Sequence, residues 1–174
     1  AGCVIENLSD IRPLASTIHD LYLQVHHRQA MRLVSLNPEF LPMLSESLSN
    51  RFSCTVARKG DAILGFVTTI KDGNTAVGYY IGFDTAANTE IPIYLRLLQA
   101  VVEEGIRFGC REISFGRTAL EPKARLGAKP QPLYVWARHR VPAMNLLVRG
   151  LMQTINHDEA PERSPFKPAK ETAE

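Results

Sequence analysis

The stretch EISFGRTALEPKARLGAKP, residues 112–130, is where the sequence gathers its cations. Residues 107–149 hold nine Lys/Arg against only Glu112 and Glu121, while the whole 174-residue chain carries a net charge of +2. Any basic site is therefore local. An Arg and a Lys that converge suit a phosphate, a carboxylate or an RNA backbone, because the guanidinium binds oxygens in pairs and the ammonium is a compact point charge. The competing reading is a solvated charged face, which is the one expected for Arg125, Lys129 and Arg149. Arg117 and Lys123 remain open between the two readings.

Other reactive side chains are scattered. Asp84 closes a run of β-branched and aromatic residues, where an Asp commonly ties down the following loop through backbone N–H groups. A carboxylate there can also accept a proton. Tyr79 and Tyr80 are neighbours, and on a regular strand they point to opposite faces, so only one reaches a cleft. Tyr134 invites the same choice between core packing and proton donation. Trp136, on an alternating run, is expected in the core. His26 and His27 end a helical pattern, where positive charge suits the helix dipole. Cys3, Cys54 and Cys110 have no zinc-ligand spacing, and Cys110 has no neighbouring base, so neither metal nor thiol chemistry is expected. No Ser-His-Asp set can be named, and no dinucleotide-binding glycine motif occurs.

The totals set bounds. The composition, 45% hydrophobic and 22% charged, is that of a globular domain. A chain of this length buries enough surface to fold without disulfides or metal, and unpaired cysteines suit a reducing, cytoplasmic setting. No apolar run approaches the ~20 residues that span a bilayer, so no membrane partner is expected. The modest net charge argues against a plain nucleic-acid-binding module. The chain begins at Ala1, which fits a processed form or one domain of a longer protein.

Periodicity places the elements. CVIENLSD reads as a strand and helix start, with Ser9 or Asp10 as cap, and Leu14, Ile18, Leu21, Tyr22 and Val25 continue at helical spacing to about His27. NPEFLPMLSESLSN reads as a second helix capped by Asn37 with Pro38 in first position. Residues 52–58, 62–71 and 75–83 alternate, with KGD and DGN as turns, and predict a three-strand meander. IPIYLRLLQAVVEEGIRFG is the strongest helix, with Asn88 or Thr89 as cap. REISFG predicts a strand, TALEPKARLG a loop with helical turns, PLYVWARHR another strand, and PAMNLLVRGLMQTI a final helix. A single domain over 1–156 and a disordered tail at 157–174 are expected. The elements require an α/β (α+β) architecture, one mixed and mostly antiparallel sheet with helices on both faces.

This order resembles the GNAT-like acyl-CoA N-acyltransferase fold, and more closely its FemAB-like branch. Three segments carry the likeness: YYIGFD (79–84), IPIYLRLLQAVVEEGIRFGCREISFGRT, and KARLGAKPQPLYVWAR. It spans roughly residues 5–155. One departure stands out. The glycine-rich loop that ordinarily holds the CoA pyrophosphate is replaced by TAANTEIP, which has no glycine and places Glu90 beside the helix start.

The resemblance implies an enzyme that moves an acyl or aminoacyl group onto an amine by direct attack. It implies acetyl-CoA or another acyl-CoA as co-substrate, with no metal, or an aminoacyl-tRNA donor as in FemAB-type transferases. It further implies a small-molecule or peptide amine acceptor. An upstream domain or a homodimer would suit a single domain of this kind, and a non-catalytic half of a domain pair is the alternative from a different class. By position, the resemblance implies Asp84, Tyr80 and Tyr134 as catalytic candidates. Gly82 and Phe83 would hold a pantetheine-like arm by strand-like pairing, and Arg117 and Lys123 would hold the donor's anionic part.

Overall fold

The computed structural model describes residues 2–29, 34–116, 119–134 and 136–154, together with 163 and 165. The contacts divide the chain into two units, Ala1–Thr118 and Ala119–Glu174.

The first unit is built on a five-stranded sheet in the order β1-β2-β3-β4-β5. The strands are β1 (Val4–Leu8), β2 (Phe52–Lys59), β3 (Ala62–Asp72), β4 (Thr75–Phe83) and β5 (Glu112–Ser114). The first four pair antiparallel, and β5 joins β4 in parallel. Two-residue turns close the meander, with Gly60 at φ 58° and Gly73 at φ 56° in the first central position. Only glycine takes that conformation without strain, which is why KGD and DGN punctuate the sequence.

The strand alternation sorts the core into two layers. Phe52, Cys54 and Val56 of β2 and Phe66 of β3 meet Ile18, Leu21 and Tyr22 of α1 (Ala15–His26) and Leu41 of α2 (Phe40–Leu48). The intervening residues Ala57 and Val67 face the other way, onto Ile93, Leu97, Ala100 and Val101 of the long helix that precedes β5. β2 is buried on both faces from Phe52 to Ala57, although Ser53 and Thr55 leave its sequence alternating apolar and polar. A four-residue helix, α3 (Ala87–Glu90), separates β4 from that long helix, α4 (Ile93–Arg107).

Local capping differs from expectation in two places. Asp10 accepts the N–H of Arg12 at 3.0 Å and so supports a short 3-10 turn at Arg12–Leu14, while α1 itself starts without a side-chain cap. Asn37 Oδ1 accepts the N–H of Glu39 at 2.9 Å, and α2 begins only at Phe40.

The second unit contains α5 (Leu120–Ala124) and α6 (Met144–Gln153). Glu121 pairs with Arg125 at 3.3 Å and with Arg163 at 2.6 Å, so Arg125 is a solvated ion-pair member as expected. The strand predicted at PLYVWARHR is absent among its described residues, and Trp136, expected in the core, is 97% exposed. A strand needs a partner ladder as well as an alternating pattern, and this segment makes none. Most of the tail predicted to be disordered lies outside the described residues, as does Arg117.

Candidate active site at the open edge of β4

The feature that organises the site is where β4 loses a neighbour. β5 pairs with β4 only over Thr75–Val77, and from Gly78 to Phe83 that side of β4 has no strand partner among the described residues. On the opposite side the β3 ladder continues but slips. Val67 pairs with Ile81 and Thr69 with Gly78, so β4 carries one extra residue at Tyr79–Tyr80. This is a bulge, which bends and twists the strand that bears it. Thr68 fills the resulting gap: its hydroxyl accepts the N–H of Tyr80 at 2.9 Å and donates to the Tyr80 carbonyl at 3.3 Å.

Beyond the bulge the hydrogen-bonding phase can be read directly. The Asp84 N–H donates to the Leu64 carbonyl at 2.8 Å, so Asp84, and Gly82 two residues earlier, direct their peptide groups at β3. Ile81 and Phe83 direct theirs at the open edge. Of the two residues expected to pair with a ligand's arm, Phe83 therefore has its peptide on that edge and Gly82 does not. Ile81 takes Gly82's place, and sequence reasoning missed it because phase is set by the ladder and not by composition.

Gly82 has a different reason to be glycine. A Cβ there would lie 2.5 Å from the Phe66 ring and 2.6 Å from backbone atoms of Leu21 and Tyr22. The missing side chain lets the α1 backbone sit directly on β4 and brings Tyr22 to the bulge.

The bulge also overturns the expectation for the tyrosine pair. Tyr79 and Tyr80 do not point to opposite faces; their rings lie 4.6 Å apart at 74°. The extra residue breaks the period of two that predicts opposite faces. Tyr80 meets Tyr22 and Phe40 edge-on at 5.8 and 6.2 Å. Burial, with Tyr79 and Tyr22 alongside, pushes its phenol above the ordinary range. Tyr80 is thus a neutral hydroxyl at physiological pH.

Behind this pair runs a relay that the sequence did not announce. The His19 ring nitrogen bonds the Leu36 carbonyl at 3.0 Å, the Leu36 N–H donates to the Tyr22 hydroxyl at 3.3 Å, and that hydroxyl bonds His26 Nδ1 at 3.1 Å. His26, expected to serve the helix dipole, is buried in this network. Its spacing of four from Tyr22 was the available signal.

At the far end of the strand, Asp84 Oδ1 accepts the N–H groups of Ala86 and Ala87, each at 2.9 Å. Four residues of strand at ~3.3 Å each separate it from Tyr80 by ~13 Å, more than the two side chains reach together. The two candidates do not meet at one atom.

The start of α4 is closed by the chain itself. The Ile93 N–H bonds the Ile91 carbonyl at 2.6 Å, and the Tyr94 N–H bonds Asn88 Oδ1 at 2.9 Å. Glu90 closes the preceding turn. Two N–H groups that a diphosphate would use are thus taken, and Glu90 precedes them by three and four residues in the chain. An amide-bearing arm fits the open edge of β4; a diphosphate does not fit the start of α4. The remaining candidates, Lys123 and Tyr134, belong to the second unit. Lys123 is buried in the last turn of α5, and burial lowers its ammonium pKa; Tyr134 is 81% exposed on an irregular segment.

With this geometry in place, comparison with known proteins is decisive at the level of family. Residues 6–124 match the acetyltransferase (GNAT) domain family model. The chain belongs to the GNAT acetyltransferase family. It is accordingly an enzyme of the N-acetyltransferase kind, and the match takes in every candidate on β4 but not Tyr134.

Solved GNAT structures share the fold. An aminoglycoside acetyltransferase from an uncultured soil metagenomic sample, in complex with sisomicin, is 19% identical with a TM-score of 0.58, covering 80% of this chain and 97% of its own. Aminoglycoside N-acetyltransferase AAC(6')-Iy in complex with CoA is 14% identical with a TM-score of 0.58, covering 80% and 95%. Glucosamine-6-phosphate N-acetyltransferase from Arabidopsis thaliana is 10% identical with a TM-score of 0.59, covering 79% and 99%. No curated protein sequence matches the chain significantly. Among the described residues, no helix is long and apolar enough to cross a membrane, and no cluster of three or more candidate metal ligands occurs.

Proposed function

We propose that this GNAT-family chain transfers an acyl group from a thioester donor to the amine of a small molecule, with the donor laid along the open edge of β4. The observation that carries this reading is the pair of outward peptide groups at Ile81 and Phe83, which follow the half-buried Tyr80 on the same strand. An arm with its own amides completes the sheet at Phe83 as an added strand would. The Ile81 N–H, nearer the bulge, then points at the acyl carbonyl and stabilises the oxyanion as the amine attacks. The new N–C bond forms and the C–S bond breaks. Tyr80, backed by Tyr79, donates its proton to the departing thiolate, and the proton of the attacking amine leaves to water, which re-protonates the phenol. Asp84 positions the strand end by holding the turn into α3. The two solved aminoglycoside acetyltransferases and the glucosamine-6-phosphate N-acetyltransferase support an amino sugar or a similar polyamine as acceptor.

A second reading follows from the self-closed start of α4. A FemAB-like transferase using aminoacyl-tRNA would also have no use for a diphosphate seat. It would bind with a steep dependence on salt, since phosphate contacts release counterions.

The deciding experiment incubates the chain with acetyl-CoA and a panel of aminoglycosides, amino sugars and short peptides, with mass spectrometry of the amines. An enzyme-dependent gain of one acetyl group supports the reading. Absence of acetylated product across the panel, with turnover of aminoacyl-tRNA instead, would replace the first reading by the second.

A further inference from the structure

We infer that the donor is recognised through its pantetheine arm, with the 3′-phospho-ADP head of CoA contributing no binding. The inference rests on the proposed function and specifies the donor for the same site. It comes from two ends of the same segment, which behave in opposite ways. At Ile81 and Phe83 the chain leaves peptide groups with no strand partner among the described residues, at the spacing a second strand or a polyamide would use. At Ile93 and Tyr94 it satisfies its own N–H groups, through the Ile91 carbonyl and Asn88 Oδ1.

The Asn88 bond is the more informative of these. It spans six residues and holds the end of α3 against the first turn of α4, so a diphosphate would have to break it before using the Tyr94 N–H. Glu90 adds a like charge within the same four-residue helix. Asp84 strengthens the arrangement from the other side, because its carboxylate caps α3 and fixes where Asn88 stands. A phosphate arriving here would meet two acceptors already seated on the N–H groups it needs. Pantetheine, by contrast, carries two amides and no charge, which is what the β4 edge can bind. An aminoacyl-tRNA 3′ end offers no such amide run. Two sources present a thioester on this arm: free CoA whose head stays in solvent, and the phosphopantetheine arm of a carrier protein.

Isothermal titration of the whole chain with CoA, pantetheine and 3′,5′-ADP separates these cases. CoA and pantetheine are expected to bind within ~3-fold of each other, and 3′,5′-ADP to give no heat at millimolar concentration. A seated diphosphate making two charge-assisted bonds would instead favour CoA by ~100-fold or more, and that result would overturn the inference while leaving acyl transfer intact. Failure of both arm-bearing ligands would remove the β4 docking reading as well. Holo and apo acyl carrier protein then distinguish the sources: a gain over free pantetheine for the holo form alone assigns a carrier-borne donor, and no gain assigns the free thioester. In the double variant Asn88→Ala, Glu90→Gln, the Tyr94 N–H is released and the charge removed. CoA is expected to tighten several-fold over pantetheine in that variant, and an unchanged ratio in the face of tight CoA binding by the wild type would contradict the inference.

Discussion

Replacing Gly82 by Ala tests how the site is assembled. The added Cβ would stand 2.5 Å from Phe66 Cε1, 2.6 Å from the Leu21 carbonyl carbon and 2.6 Å from the Tyr22 nitrogen. Carbon contacts are comfortable at ~3.5–4.0 Å, so about 1 Å must be recovered on three sides. The Phe66 ring is fully buried, and the other two atoms are backbone in the middle of α1, so none yields without moving the helix. Overpacking of this kind costs about 1–3 kcal/mol, and the backbone contacts place Gly82→Ala at the upper end, about 3 kcal/mol. Lifting α1 also draws Tyr22 away from Tyr80, so turnover at a temperature where the variant is folded should fall as well. Urea unfolding followed by circular dichroism gives the stability, and product formation by mass spectrometry gives the turnover. A loss under about 0.5 kcal/mol with unchanged turnover would refute the argument that α1 rests on a glycine and in doing so positions the tyrosine.

Four further outcomes are expected. Tyr80→Phe keeps the ring contacts and removes only the hydroxyl; it should change stability by about 1 kcal/mol or less and lower kcat by ~100-fold, with little change in KM. Asp84→Asn retains a capping oxygen and should leave both unfolding and kcat within about 3-fold of wild type, whereas Asp84→Ala should lose about 1 kcal/mol; a large kcat loss in the Asn variant would return Asp84 to the chemistry. Thr69 Oγ1 is buried and makes no hydrogen bond, so Thr69→Val should raise stability by about 1 kcal/mol in the same urea assay. Burial pushes the Glu104 carboxyl up, but hydrogen bonds from Arg107, Ser53 and Asn7 outweigh it and hold the carboxyl below its ordinary value. A depressed carboxyl contributes stability above its unfolded pKa of ~4.3 and loses it as pH falls through the folded value, so acid unfolding between about pH 5 and 3 should be shallower in Glu104→Gln than in wild type.

The meander was legible because alternation and the two glycine turns both constrain it: strands expected at 52–58, 62–71 and 75–83 occupy 52–59, 62–72 and 75–83. α4 was equally plain, since its apolar face repeats over four turns. The details that build the site were not. A bulge inserts a residue without changing the apolar pattern, so nothing in YYIGFD showed that Tyr79 and Tyr80 share a side, or that Ile81 and not Gly82 faces outward. Gly82 looked like a place for a ligand to approach and proved to be a place for a helix to rest. Asn88 was named as a cap for α4, but only its bond to Tyr94 shows which N–H of the first turn it takes up. Residues 132–140 alternate as strands do, yet form none among their described residues, because a pattern specifies a face and only a partner supplies the hydrogen bonds.

Amide hydrogen exchange at Ile81 and Phe83, followed by NMR with and without saturating S-acetyl pantetheine, tests the central claim most directly. If the donor completes the sheet along β4, the Ile81 and Phe83 amides should slow by at least ~10-fold on binding, while those of Gly82 and Asp84, already bonded to β3, stay slow in both states. Unchanged exchange at Ile81 and Phe83 with the ligand bound would contradict the account.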